Sequence, residues 1–315
     1  MHKFWHAAAA GLAATLFAAG AQAADPASCK TVRFSDVGWT DITSTTAMAS
    51  RILSALGYEP KTTVLAVPVT YESMKNKDID VFLGNWQPTM ESIRKPYLDD
   101  KSVDLLPKPN LEGAKYTLAV PTYTFDAGLK SFQDIAKFKD QLGGQIYGIE
   151  PGNDGNKLIQ EMIDKGTFGL KDFKLVESSE QGMLAEVDRA TRQNKPIVFL
   201  GWEPHPMNSK YKMSYLAGGD DIFGPDYGGA TVFTNTRAGY VSECPNAGKF
   251  ITNLTFTLPM ENEVMGKILF DGEEAGKAAE EWLKANPQAW AKWLDGVTTF
   301  DGKPGLDAVK QSLGL

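Results

Sequence analysis

Histidine is nearly absent from this 315-residue chain: His2 and His6 stand at its start, and only His205 lies further on. A histidine-based metal cluster is therefore excluded, and a His-centred triad would have to use His205. That residue sits between Pro204 and Pro206, where the plain expectation is a surface loop. A GxSxG elbow, a phosphate-gripping P-loop and an HExxH helix are also lacking. Carboxylates are plentiful, but none are paired at a diagnostic spacing. No catalytic residue, metal site or cofactor is expected, and a carboxylate-based hydrolase stands as the enzyme alternative.

Long apolar runs are lacking too. Ala7 to Ala19 is apolar but short of the roughly 20 residues that span a bilayer. With Lys3 before it and Ala21-Gln22-Ala23 after it, the run reads as a secretory signal peptide, residues 1–23, cut after Ala23. There are two cysteines, Cys29 and Cys244, and in an oxidising compartment an even pair is expected to form a bridge. Pro26 stands where a lipidation site wants an aliphatic residue, which argues against a lipid on Cys29. The net charge of −7 becomes −8 once Lys3 leaves with the leader. Such a surface disfavours nucleic acid and anionic membranes and mildly attracts cations.

What is present is one plan used twice. Ile79 to Met90 read IDVFLGNWQPTM, and Pro196 to Met207 read PIVFLGWEPHPM. Both hold Val-Phe-Leu-Gly, then a Trp, then a Pro two residues later. An apolar run bounded by Gly and Pro is the pattern of a buried parallel strand. Before the first copy the order is a strand at Thr31 to Asp36, a helix from about Thr43 to Leu56, a strand near Thr62 to Val67 and a helix near Tyr71 to Asn76. Before the second it is a strand at Gln145 to Glu150, a helix near Asn156 to Lys165, a strand near Phe173 to Val176 and a helix near Gln181 to Arg192. Alternating strands and helices predict two α/β units, each a mostly parallel sheet flanked by helices. Tyr116 to Pro121 reads as an extended crossover, and Lys212 to Leu216 as the return. Hinge crossovers are thus expected near 114–120 and 211–216, with lobe 1 formed by 24–115 and 214–315 and lobe 2 by 116–213. Ligands of such sheets bind beyond the carboxyl ends of the strands. Loops carrying Trp39, Asp41, Trp86, Asn153 and Trp202 occupy that position.

Beyond the leader there are six tryptophans. Trp282, Trp290 and Trp293 fall at helical spacing in EEWLKANPQAWAKWL and are expected to pack a C-terminal helical region. Trp39, Trp86 and Trp202 sit at strand ends beside Gly or Pro, where a large ring has few core neighbours and more readily lines a cleft. Rings with a nearby carboxylate suit a quaternary ammonium, whose head has no N–H to donate but is attracted to π-faces. A sugar also stacks on Trp, and remains the competing ligand class.

The motifs GWTD, NWQP, EPGND and GWEPHP, in this order behind a signal peptide, resemble the choline-binding proteins of bacterial ABC importers, within the glycine betaine/choline substrate-binding group. The resemblance covers essentially the whole exported chain. It implies the two-lobed periplasmic binding protein fold, type II-like, closing by a hinge. It implies a periplasmic, monomeric protein delivering choline to a permease with ATPase subunits. Carried over by motif, the aromatic box would be Trp39, Trp86, Tyr116 and Trp202, with Asp41 and Asn153 on the ligand hydroxyl, and Cys29 bridged to Cys244. A carboxylate at Asp41 accepts from a hydroxyl and attracts a cation, but opposes the carboxylates of glycine betaine and carnitine. Choline is therefore expected first, acetylcholine or betaine more weakly. A glycine betaine/carnitine-type osmolyte binder is the alternative within the fold, and a choline-ester hydrolase the alternative outside it. Asp41 is also placed to cap the helix expected from Thr43.

Overall fold

A computed structural model describes residues 25–315. The expected signal peptide and its cut lie outside the described residues. Among the described residues no helix is long and apolar enough to cross a membrane.

The first unit is built on β1 (Thr31–Asp36), whose inner residues Val32 and Phe34 are fully buried. It pairs in parallel with β2 (Glu59–Val64) over its whole length, and with β3 (Val81–Gln87) through Phe34 and Ser35. Parallel neighbours need a long crossover. Helices Thr40–Ala55 and Val67–Lys75 supply it. In the second unit β5 (Gln145–Tyr147) pairs in parallel with both β6 (Lys174–Val176) and β7 (Phe199–Glu203). Its crossovers are helices Asp154–Lys165 and Glu180–Arg192.

Strand order runs β2-β1-β3-β9-β4-β7-β5-β6. Each unit thus places its first strand in the middle, its second outside and its third inward. The sequence repeat is a repeat of topology. The two units are mirror-ordered about two antiparallel strands, β4 (Val103–Pro121) and β9 (Gly229–Arg237). β4 pairs with β9 from Val103 to Lys115, then with β7 from Lys115 to Ala119. One strand therefore passes from the first unit into the second at Lys115, inside the expected crossover. Register shifts between Leu105 and Ala114 interrupt it, around prolines that cannot donate to a ladder.

The segment expected to carry the return contains a short strand, β8 (Met213–Tyr215), which pairs with β4 at Ala119 to Pro121, on the second unit's side. The chain rejoins the first sheet at Gly229. We propose lobe limits of 24–115 with 214–315 and of 116–213, the stretch from 214 to 228 running along the seam.

The closing helices cover the first unit. Trp282, Trp290 and Trp293 are buried there as expected, and each indole N–H is satisfied, by Glu263, the Leu283 carbonyl and the Thr255 carbonyl. Cys29 and Cys244 form a disulfide with a Cα–Cα separation of 5.6 Å. Beside it, the Asp25 carboxylate accepts from the backbone N–H groups of Asn246 and Ala247 and from the Tyr58 hydroxyl. This caps helix Pro245–Asn253 with a side chain from more than 200 residues upstream.

Candidate ligand-binding site

The loop after β1 is pinned by Asp36, which accepts from the Gly38 N–H at 2.7 Å and from the Thr43 hydroxyl at 2.7 Å. Gly38 has φ +82°, a conformation that other residues rarely adopt. The turn presents Trp39, and helix Thr40–Ala55 starts immediately, three residues earlier than expected. Asp41 is therefore a first-turn residue rather than the cap. Its side chain is free to face the cleft, where Oδ2 accepts from Trp86 Nε1 at 3.2 Å. Its Oδ1 has no hydrogen-bond partner among the described residues.

Trp86 and Trp202 lie inside the last residues of β3 and β7, not beyond them. The long central strands extend both: Trp86 pairs with Val232 of β9 and Trp202 with Tyr116 of β4. Tyr116 thereby stands between two tryptophans, with ring centroids 6.0 Å from Trp86 at 59° and 6.2 Å from Trp202 at 82°. These are edge-on and tilted contacts that leave ring faces open to a guest.

On the opposite side, Asn153 caps helix Asp154–Lys165. Its Oδ1 accepts from the Asn156 N–H at 3.1 Å and from the Tyr116 hydroxyl at 2.8 Å. A side chain on Gly155 would sit 2.2 Å from that hydroxyl, so glycine is what lets Tyr116 reach the cap. Asn156 holds the loop beneath, accepting from the Ile149 N–H and donating to the Ile149 and Glu150 carbonyls.

These pieces come together around one small cavity, with about 250 Å³ of empty space counting its open mouth, lined by Trp39, Asp41, Trp86, Tyr116, Ile149, Asn153, Asp154 and Trp202. The structure brings together all six residues expected from sequence, every one at least 95% buried. The space is small and suits a guest of few atoms. No lysine or arginine lines it. Among the described residues no group of acidic, His or Cys side chains is arranged to hold a metal.

The electrostatics are those of crowded acids. Burial, and then the charge of nearby Glu180, pushes Asp41 up to about 8. Burial lifts Glu150 to about 7, although its Oε1 accepts from Trp39 Nε1 at 2.9 Å. Glu180, almost fully buried, accepts from the Thr40 N–H at 2.8 Å and the Thr40 hydroxyl at 2.6 Å. Both acids come from the second unit and bind donors of the first, so they hold the units together around the cavity.

His205 corrects the sequence expectation. It is buried, 1% exposed, rather than on a surface loop. Its Nε2 lies 3.1 Å from Glu180, its Nδ1 accepts from the Met207 N–H, and its ring packs on Trp202 at 4.8 Å. Sequence reasoning also missed Asp154 and Ile149 as lining residues. The only signal for Asp154 was its place beside Asn153 at a strand end, where a first-turn acid is commonplace.

Residues 30–285 match the family described as the substrate-binding domain of the ABC-type glycine betaine transport system. Over 163 residues the chain is 30% identical to the glycine betaine/carnitine transport binding protein GbuC of Listeria monocytogenes, covering 52% of this chain and 53% of that protein. An uncharacterised protein, ORF1, of Chromohalobacter salexigens is 57% identical over 130 residues, 41% of this chain and 83% of that one. Among solved structures, an ABC-transporter choline-binding protein in complex with choline is 65% identical, covering 92% of this chain and 100% of that one, with a TM-score of 0.91. The structure of lactococcal OpuAC closed around glycine betaine is 31% identical, covering 84% and 98%, with a TM-score of 0.75.

Proposed function

The chain belongs to the family of substrate-binding domains of ABC-type glycine betaine transport systems, and on that premise we propose that it binds choline and delivers it to an ABC-type importer. One observation carries the ligand: four aromatic rings and two buried carboxyls enclose a small cavity that no basic side chain enters. A trimethylammonium head lies among Trp39, Trp86, Tyr116 and Trp202. Each ring contact contributes roughly 0.5–1 kcal/mol when exposed and about 2 when desolvated. Several such contacts in a closed site supply much of the ~8 kcal/mol of micromolar binding. The hydroxyl end donates to Asp41 Oδ1, an acceptor with no other partner, and accepts from Asn153 Nδ2.

Glycine betaine and carnitine fit the rings equally well, but their carboxylates would meet Asp41 and Asp154 with no cationic donor to receive them. Betaine, like acetylcholine, is therefore a weaker ligand of this site. The family match supports partners of the ABC type, a membrane permease with its ATPase subunits, and we propose that the protein serves them as a periplasmic monomer. Hydrolysis of a choline ester finds no support in His205, which is held by Glu180 and Met207 and does not line the cavity.

Calorimetric titration of residues 24–315 with choline, acetylcholine, glycine betaine, carnitine and proline tests the reading. Choline should bind tightest, at about micromolar affinity or better. Tighter binding of betaine, or no heat with choline, would overturn it.

A further inference from the structure

We propose that Asp154 is a second acidic contact of the ligand, lining the cavity from the side opposite Asp41 and setting the preference for a cation over a zwitterion or a neutral molecule. The assignment rests on the choline reading above.

Asp154 opens helix Asp154–Lys165, directly after the capping Asn153. It lines the cavity and is 1% exposed. Its Oδ1 receives a long bond from Asn153 Nδ2 at 3.3 Å, and its Oδ2 has no partner among the described residues. The bland reading is an acid that complements the helix dipole. That effect is worth roughly 0.3–1 kcal/mol and works from an exposed position. Taking a carboxylate out of water costs several kcal/mol. The dipole is too small to account for the burial, and a cationic guest is large enough.

Asp41 and Asp154 thus bring two unpartnered carboxyl oxygens from opposite lobes to one small cavity without a basic side chain. Burial also lifts Asp154 to about 6, while the nearby Thr89 hydroxyl and the N–H groups of its own helix start pull it down. An acid held in this way ionises readily when a positive charge arrives beside it. A ligand with the same methyl groups and no charge gains nothing from it.

The test is titration of wild type and Asp154→Asn with choline, glycine betaine and 3,3-dimethyl-1-butanol, the uncharged carbon isostere of choline. In the variant choline should weaken by about tenfold or more, while the isostere and betaine change by no more than about twofold. The choline-to-isostere preference then falls by about tenfold. A preference that stays constant, whether all three ligands weaken together or none does, overturns the assignment, because a purely structural role lowers every affinity alike. If circular dichroism shows that Asp154→Asn does not fold, Asp154→Ser, which keeps a helix-starting side chain, is read by the same ratio. Wild-type protein that prefers betaine to choline overturns the choline reading itself, and that result is visible without any variant.

Discussion

Thr40 gives both its backbone N–H and its hydroxyl to the carboxylate of Glu180, at 2.8 and 2.6 Å, across the cleft between the two lobes. Thr40 is flanked by Trp39 and Asp41, which line the cavity, and Glu180 is backed by His205, which packs on Trp202. The contact that joins the lobes and the groups that hold the ligand are therefore neighbours along the same three segments. Opening the cleft would strip a buried carboxylate of two of its three partners.

Replacing that carboxylate should loosen closure. Glu180→Gln removes the charge and sets an amide N–H₂ among donors. A hydrogen bond to a charged group is worth about 1.5–3 kcal/mol, so choline should dissociate roughly ten- to a hundredfold faster. Stopped-flow tryptophan fluorescence reads the rate directly. An unchanged dissociation rate would mean that the Thr40 contact does not hold the closed form.

The rings should dominate affinity. Trp86→Ala and Trp202→Ala each remove a fully desolvated π-face worth about 2 kcal/mol, and should each weaken choline by about tenfold or more in calorimetry. Titrations that match wild type in both variants would dispose of the cage.

Asp41 should decide between ligands. Asp41→Asn keeps the shape of the side chain but removes the group that ionises beside a bound cation, so choline should weaken far more than betaine. Equal weakening would leave Asp41 as a support for Trp86, whose indole it holds.

The crowded acids predict a pH dependence of definite sign. Asp41 at about 8, Glu150 at about 7 and Asp154 at about 6 all lie above their ordinary values, chiefly through burial. Buried Glu261, near Asp41, is raised in the same way. The folded protein then binds more protons than the unfolded chain, and stability falls as pH rises from about 4 towards 8. A bound cation favours the ionised carboxylates. The melting temperature without ligand should drop between about pH 5 and about pH 8, and the increase given by saturating choline should grow over the same range. A choline-induced increase that shrinks with rising pH would reverse the sign argued here.

The disulfide should matter for stability alone. It closes a 215-residue separation, and neither cysteine lines the cavity. Cys29→Ser with Cys244→Ser should cost about 2–5 kcal/mol in denaturant unfolding, with choline affinity kept. A large loss of affinity in the folded variant would tie the bridge to the site.

Much of this was legible in the sequence because it is local. β1 occupies the expected Thr31–Asp36, and the VFLG repeat became β3 and β7, matching strands of two mirror-ordered units in one continuous sheet. Trp39, Trp86 and Trp202 stood out because rings beside Gly and Pro at strand ends have nowhere else to go. What stayed hidden depends on partners far along the chain. β9 and β4 extend the strands under Trp86 and Trp202, and no local pattern shows which strands will lie beside them. Glu180 and Asp154 look like ordinary first-turn acids, and His205 like a loop residue between prolines. Only the meeting of the two lobes buries them.

The most direct test is a crystal structure of the protein with choline. The trimethylammonium head should lie among the rings of Trp39, Trp86, Tyr116 and Trp202, within about 6 Å of their centroids, with the hydroxyl hydrogen-bonded to Asp41. Choline lying elsewhere, or with its hydroxyl turned away from Asp41 towards the rings, would contradict it.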